Sequence, residues 1–212
     1  MSDILLDEQT APTGPAAGQL VVWPDSGASK LAYKDDSGRG FITGSGLSNA
    51  SNAAQVLGTG DTYVTDSDLI IPSFLLQTRT KFFWRLDVSK TAAGTATPIY
   101  QVRIGSARTT ADTSRLSITG PAQTAAVDIA IIDICVTLRN AGAAATLRGT
   151  VHINHNTSGA TGFANVVTPV TVATSAAFDS SSHVSGQFVG LSINAGASSA
   201  WTVEQVRGLV DW

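Results

Sequence analysis

Cysteine is almost missing from this chain: Cys135 stands alone among 212 residues, so no disulfide can form within it. Histidine is scarce, limited to His152, His155 and His183. Charge is thin as well. Asp, Glu, Lys and Arg make up 14% of the residues, against roughly 25% in an average soluble domain. The 13 basic residues are scattered from Lys30 to Arg207 and the net charge is −3. No basic stripe can neutralise a phosphate backbone, which argues against nucleic acid as a direct partner. No apolar run approaches the roughly 18 residues of a membrane helix, so no membrane partner is expected. The acidic opening, Met1 to Glu8, lacks the basic and then apolar pattern of a secretory signal. These absences predict a soluble chain made in the cytoplasm.

What is present is apolar and small. Hydrophobic residues reach 43%, enough for a core and too many for wholesale disorder. Gly, Ala, Ser and Thr stand where charge is usual, which suits a chain that works in an assembly. Strand periodicity dominates. In residues 81–88, Phe82, Trp84, Leu86 and Val88 share one face, and Phe83, Arg85 and Asp87 share the other. Residues 99–104 repeat the alternation with Tyr100, Val102 and Ile104. In 127–138 the apolar phase slips from Ile129 and Ile131 to Ile132, Ile134 and Val136, which predicts a β-bulge. After a turn at Asn140-Ala141-Gly142, further strands are expected at 146–154, 165–173, 187–194 and 200–210, with one more at 68–73.

No amphipathic helix separates these segments, which argues against a parallel α/β sheet. The expected fold is all-β: an eight-stranded antiparallel sandwich of jelly-roll type over residues 59–212, preceded by a small β-hairpin arm. The arm takes residues 1–45, with short strands at 19–23, 30–34 and 40–43. Strands so short cannot bury much alone and need a partner surface. Residues 46–58, rich in Ser, Asn, Ala and Gly, read as a linker.

The arm carries a resemblance. Pro15, Gly18 and Trp23, followed by Lys30, Leu31, Tyr33, Lys34, Asp35, Asp36 and Gly38, follow a "P-x-x-G-x-x-x-x-[YW]" and "K-L-x-Y-K-D-D-x-G" pattern. It resembles a segment near the N-terminus of tailed-bacteriophage tail and head-fibre proteins and covers about a fifth of the chain. The resemblance implies a non-enzymatic virion structural protein: a head decoration protein, head fibre or tail appendage. Its arm would attach a projecting β-domain to the major capsid or tail protein, and the protein would be a homo-oligomer, a trimer before a dimer. Val21, Trp23, Leu31, Tyr33 and Phe41 would then form the particle-binding surface of the arm. A module on the same particle that binds a host surface glycan is the alternative.

Candidate chemistry is sparse. His152 and His155, three apart on a strand, should point to opposite faces and cannot share a metal there. No G-x-S-x-G elbow is present, and Gly44-Ser45-Gly46 lacks the third glycine of a dinucleotide site. Asp61, Asp66 and Asp68 supply oxygen ligands, but their spacing fits no EF-hand. Asp128 and Asp133 should face opposite ways unless the bulge unites them. Trp84 reads as core, while Trp23, Trp201 and Trp212 are candidates to stack on a sugar. No catalytic residue, cofactor or metal ligand is expected.

Overall fold

The computed structural model describes residues 7, 9–26, 30–35, 40–42, 47–72, 74–155, 162–164, 170–197 and 200–211. Its named strands all pair antiparallel, in three sheets. The arm is a three-stranded sheet of β1 (Val21–Asp25), β2 (Lys30–Lys34) and β3 (Gly40–Ile42). The larger sheet has seven strands. It contains β4 (Leu47–Ala50), β5 (Gln55–Val56), β8 (Lys81–Lys90), β11 (Asp128–Asn140), β12 (Thr146–His155), β13 (Val170–Thr174) and β15 (Trp201–Asp211). Its order is β13-β12-β11-β8-β15-β4, with β5 also paired to β15. The smaller sheet has five strands: β6 (Asp61–Tyr63), β7 (Leu69–Ile70), β9 (Ile99–Gly105), β10 (Thr113–Thr119) and β14 (Phe188–Asn194). Its order is β10-β9-β14-β6, with β7 also paired to β14.

The two larger sheets form a β-sandwich because the long strands β8, β9, β11 and β12 bury an apolar residue at nearly every second position. Phe82, Trp84, Leu86, Ile132, Ile134 and Val136 face inward from one sheet; Tyr100, Val102, Leu116, Ile118, Leu191 and Ile193 do so from the other. The Trp84 indole N–H, buried with its ring, donates to the Ser67 carbonyl at 2.7 Å. Gly149 leaves room for Leu116 and Ile118 of the opposite sheet. The arm packs on this body. Trp23 and Ala32 belong to the same core, and a Cβ at Gly40 would lie 2.6 Å from Cγ of Phe74.

Three expectations change. The sandwich has more strands than eight, because β10 and the short β4, β5 and β6 join it. Residues 46–58, expected as a linker, contribute β4 and β5, which pair with β15. β11 has no bulge between Ile129 and Val136: it pairs in unbroken register with β8 and β12, so Ile129 and Ile131 point out while Ile132, Ile134 and Val136 point in. The expected strand at 165–173 is β13, starting at Val170; residues 165–169 lie outside the described residues.

Candidate functional site

The outer face of the larger sheet follows from this register. β11 is buried at Asp128, Ile132 and Ile134 but presents Ile129, Ile131 and Cys135 to solvent, the isoleucines at 55% and 38% exposure. Such side chains normally sit inside. Ile129 and Ile131 floor an open groove of about 570 Å³ walled by Asp87, Ser89, Asn154 and Glu204. The Ser89 hydroxyl donates to Glu204 Oε1 at 2.5 Å.

Around the groove, charges are matched in place. Arg85 donates Nε and Nη2 to the two oxygens of Asp133 at 2.7 and 2.8 Å, a bidentate pair. Arg207 meets Asp87 at 3.1 Å and Lys81 meets Asp211 at 3.2 Å. Exposed pairs of this kind contribute little stability, about 0–1 kcal/mol each. These pairs leave much of the face without net charge. Partial burial, and Asp133 beside it, push the Cys135 thiol up.

A second polar cluster closes one end of the sandwich. Asp128 Oδ2 lies 2.9 Å from His155 Nδ1 and accepts from the Phe163 N–H at 3.2 Å; the Asp128 and His155 side chains are both buried. Opposite Asp128 on β8, the buried Lys90 ammonium donates to the carbonyls of Thr91, Thr124 and Ala126 at 3.0, 2.8 and 3.2 Å, with Ala93 at 3.3 Å. Burial lowers the Lys90 pKa, and Asp128 pulls the other way. Gln123 completes the cluster by accepting from the Trp201 indole N–H at 2.9 Å. A carboxylate that orients a histidine supplies two of the three members of a nucleophilic triad. Ser89 is not the missing member: it points to the outer face, where it is bonded to Glu204. The geometry is that of a clamp joining the loops at 91–98 and 120–127 to the ends of β11 and β12.

The other residues picked out in the sequence disperse. Asp61 pairs with Arg103, and Asp68 with Arg108 at 3.5 Å. His152 lies on the outer face opposite Asp133, while His155 lies inward, on the other face of β12. Among the described residues, no group of three or more His, Cys, Asp or Glu could hold a metal ion. Trp84 and Trp201 are buried; Trp212 lies outside the described residues. In the arm, Trp23 is 2% exposed and faces the body, and Val21 packs beside the core. Leu31 stands exposed with Leu20 and Val22, Tyr33 is half-buried, and the Phe41 side chain lies outside the described residues. The arm surface is therefore Leu20, Val22 and Leu31 rather than Trp23. A five-residue strand must turn one face to the body, and the bulky indole takes it.

His183 supports a prediction about pH. It follows the 3₁₀ turn Ser180–Ser182, with Nδ1 3.1 Å from Gln187 Oε1, and burial lowers its pKa. A histidine depressed in the folded state leaves the unfolded chain to take the proton first. Stability from this site is then complete above the unfolded value of about 6.5 and declines as pH falls through it. Melting temperature should drop more between pH 7 and pH 5 in the native protein than in His183→Gln. Equal drops would remove His183 from the acid response.

No protein-family model matches the chain, and no curated protein or solved structure shows significant similarity to it.

Proposed function

We propose that this chain is a structural component of a tailed-bacteriophage particle. It binds the capsid or tail protein through its N-terminal arm, displays or clamps with its β-sandwich, and works as a closed homo-oligomer without catalytic turnover. One observation carries the reading: the arm is held to the body by Trp23 and Ala32 while Leu20, Val22 and Leu31 are turned outward. An apolar patch on a pre-positioned element can dock without first paying to order the chain. The sandwich reads as a jelly roll. Strands β4-β15-β8-β11 facing β6-β14-β9-β10 follow that fold's two four-stranded sheets, with β12 and β13 as an added hairpin beside β11. The host-glycan alternative has less support, because two of its three candidate rings, Trp23 and Trp201, are buried and cannot stack on a sugar.

The test is a Val22→Asp, Leu31→Asp double variant, mixed with particles that lack the protein and sedimented. Each replaced side chain contributes about 1.5–3 kcal/mol when fully covered, so the affinity for particles should fall roughly 100-fold or more. Both side chains are exposed, so the melting temperature should stay within a few degrees of the native value. Full occupancy of particles by the variant would overturn the assignment of the arm.

A further inference from the structure

We propose that the outer face of the larger sheet is the contact between copies of this chain, made by two such faces packed together about a two-fold axis that lies between them and crosses the strands. The inference rests on the homo-oligomer reading above and names the surface that makes the oligomer.

Apolar content is the first support. Ile129, Ile131, Val170, Val172 and Leu209 all stand exposed on this face, whereas the outer face of the smaller sheet exposes no large apolar side chain among the described residues. Register aligns Val172, Thr150, Cys135, Phe83 and Leu209 in one row across five strands. Size is the second. Six strands at a spacing of about 4.8 Å and a rise of about 3.3 Å per residue present roughly 700 Å² per copy. That is close to the about 800 Å² per partner of a stable protein–protein interface.

Charge identifies the occupant as a second copy. In the middle of the face, Arg85–Asp133 and Arg207–Asp87 are already paired, so covering them strands no lone ion. The charges left over lie at opposite ends. Glu204 accepts from the neutral Ser89 at the Ile129 end. Arg139 and Arg148 line a depression at the other end, where Arg148 donates to the Thr174 hydroxyl at 2.6 Å. Among the described residues neither arginine is within ion-pair distance of a carboxylate, and Glu204 is not within that distance of a cation. Glu204 on β15 and Arg148 on β12 lie three strands apart, about 14 Å, and roughly 21 Å apart along the strands. A two-fold axis through the middle of the face that crosses the strands obliquely, roughly 35° from their perpendicular, lays Glu204 of each copy on Arg148 of the other. An axis parallel to the strands, as in a three-fold bundle, sets like charges side by side. The contact is thus isologous, and it replaces the trimer expected from the arm with a pair.

Cys135 near the middle of the face makes the test internal to the protein. Native protein at tens of micromolar should sediment as a dimer, with its single thiol slow toward a thiol reagent. Ile131→Asp, or Val172→Asp on the edge strand, should weaken the dimer at least about tenfold and speed Cys135 modification by a similar factor at the same concentration. Glu204→Arg and Arg148→Glu should each weaken it, and the two together should regain affinity. A native monomer at about 100 μM would overturn both this proposal and the homo-oligomer reading. An oligomer unchanged in mass and thiol reactivity by Ile131→Asp and Val172→Asp would overturn only this face. A trimeric mass, or a charge-reversed pair that regains nothing, would overturn the two-fold arrangement.

Discussion

Trp84→Ala is expected to lower the unfolding free energy by about 4–5 kcal/mol. The indole is fully buried on β8 and packs beside Phe82, with ring centroids 5.9 Å apart. Removing a buried aromatic to alanine costs about 3–5 kcal/mol in lost transfer energy and cavity. The change also strands the Ser67 carbonyl, which accepts the indole N–H, adding about 1–3 kcal/mol if no water reaches it. Urea denaturation followed by tryptophan fluorescence and circular dichroism measures the loss. For a chain of this size the melting temperature should fall by roughly 10 °C or more. Ser117→Ala, exposed on β10 of the other sheet, is the control and should cost far less. A loss below about 1.5 kcal/mol for Trp84→Ala would contradict the assigned core.

Lys90→Met is expected to cost about 3–5 kcal/mol, the usual penalty for removing one partner from a buried charged cluster. Methionine keeps the length and apolar character of the stem, so the loss isolates the ammonium. The carbonyls of Thr91, Ala93, Thr124 and Ala126 lose their common donor, and Asp128 loses the cation opposite it. Lys81→Met, at the exposed start of the same strand, should stay within about 0.5 kcal/mol of native. A double-mutant cycle with Asp128→Asn should show coupling of at least about 1 kcal/mol. Additive losses would mean that Lys90 serves the carbonyls alone.

Much of the sandwich could be read from the sequence where one face is apolar and the other is not. β8, β9 and β12 alternate cleanly, and their inward residues are those expected. β10 escaped because only Leu116 and Ile118 mark its inner face, after a polar stretch. β4 and β5 escaped because edge strands of four and two residues carry no period; they exist because β15 has an edge to fill. The isoleucines of β11 misled for the opposite reason. A strand apolar on both faces looks like a slipped strand apolar on one, and only its partners decide the matter. The Asp128–His155 contact was closer to reach. Pairing backward from the turn at Asn140-Ala141-Gly142 puts His152 opposite Asp133 and His155 opposite Ala130, within a diagonal step of Asp128.

The position of β15 has a consequence for biosynthesis. It follows every other described strand in the chain, yet it lies inside the larger sheet with β8 on one side and β4 and β5 on the other. A ribosome adding about 5–20 residues per second therefore releases β8 and β4 with open edges, and holds them so for several seconds until residues 201–211 emerge. During that interval, two unpaired strand edges are free to capture another nascent chain. The sheet closes through its most distant contacts, which form slowly, over milliseconds to seconds. Sparse translation, or a chaperone that shields the β8 edge, should thus raise the yield of soluble protein more than any stabilising change in the finished core.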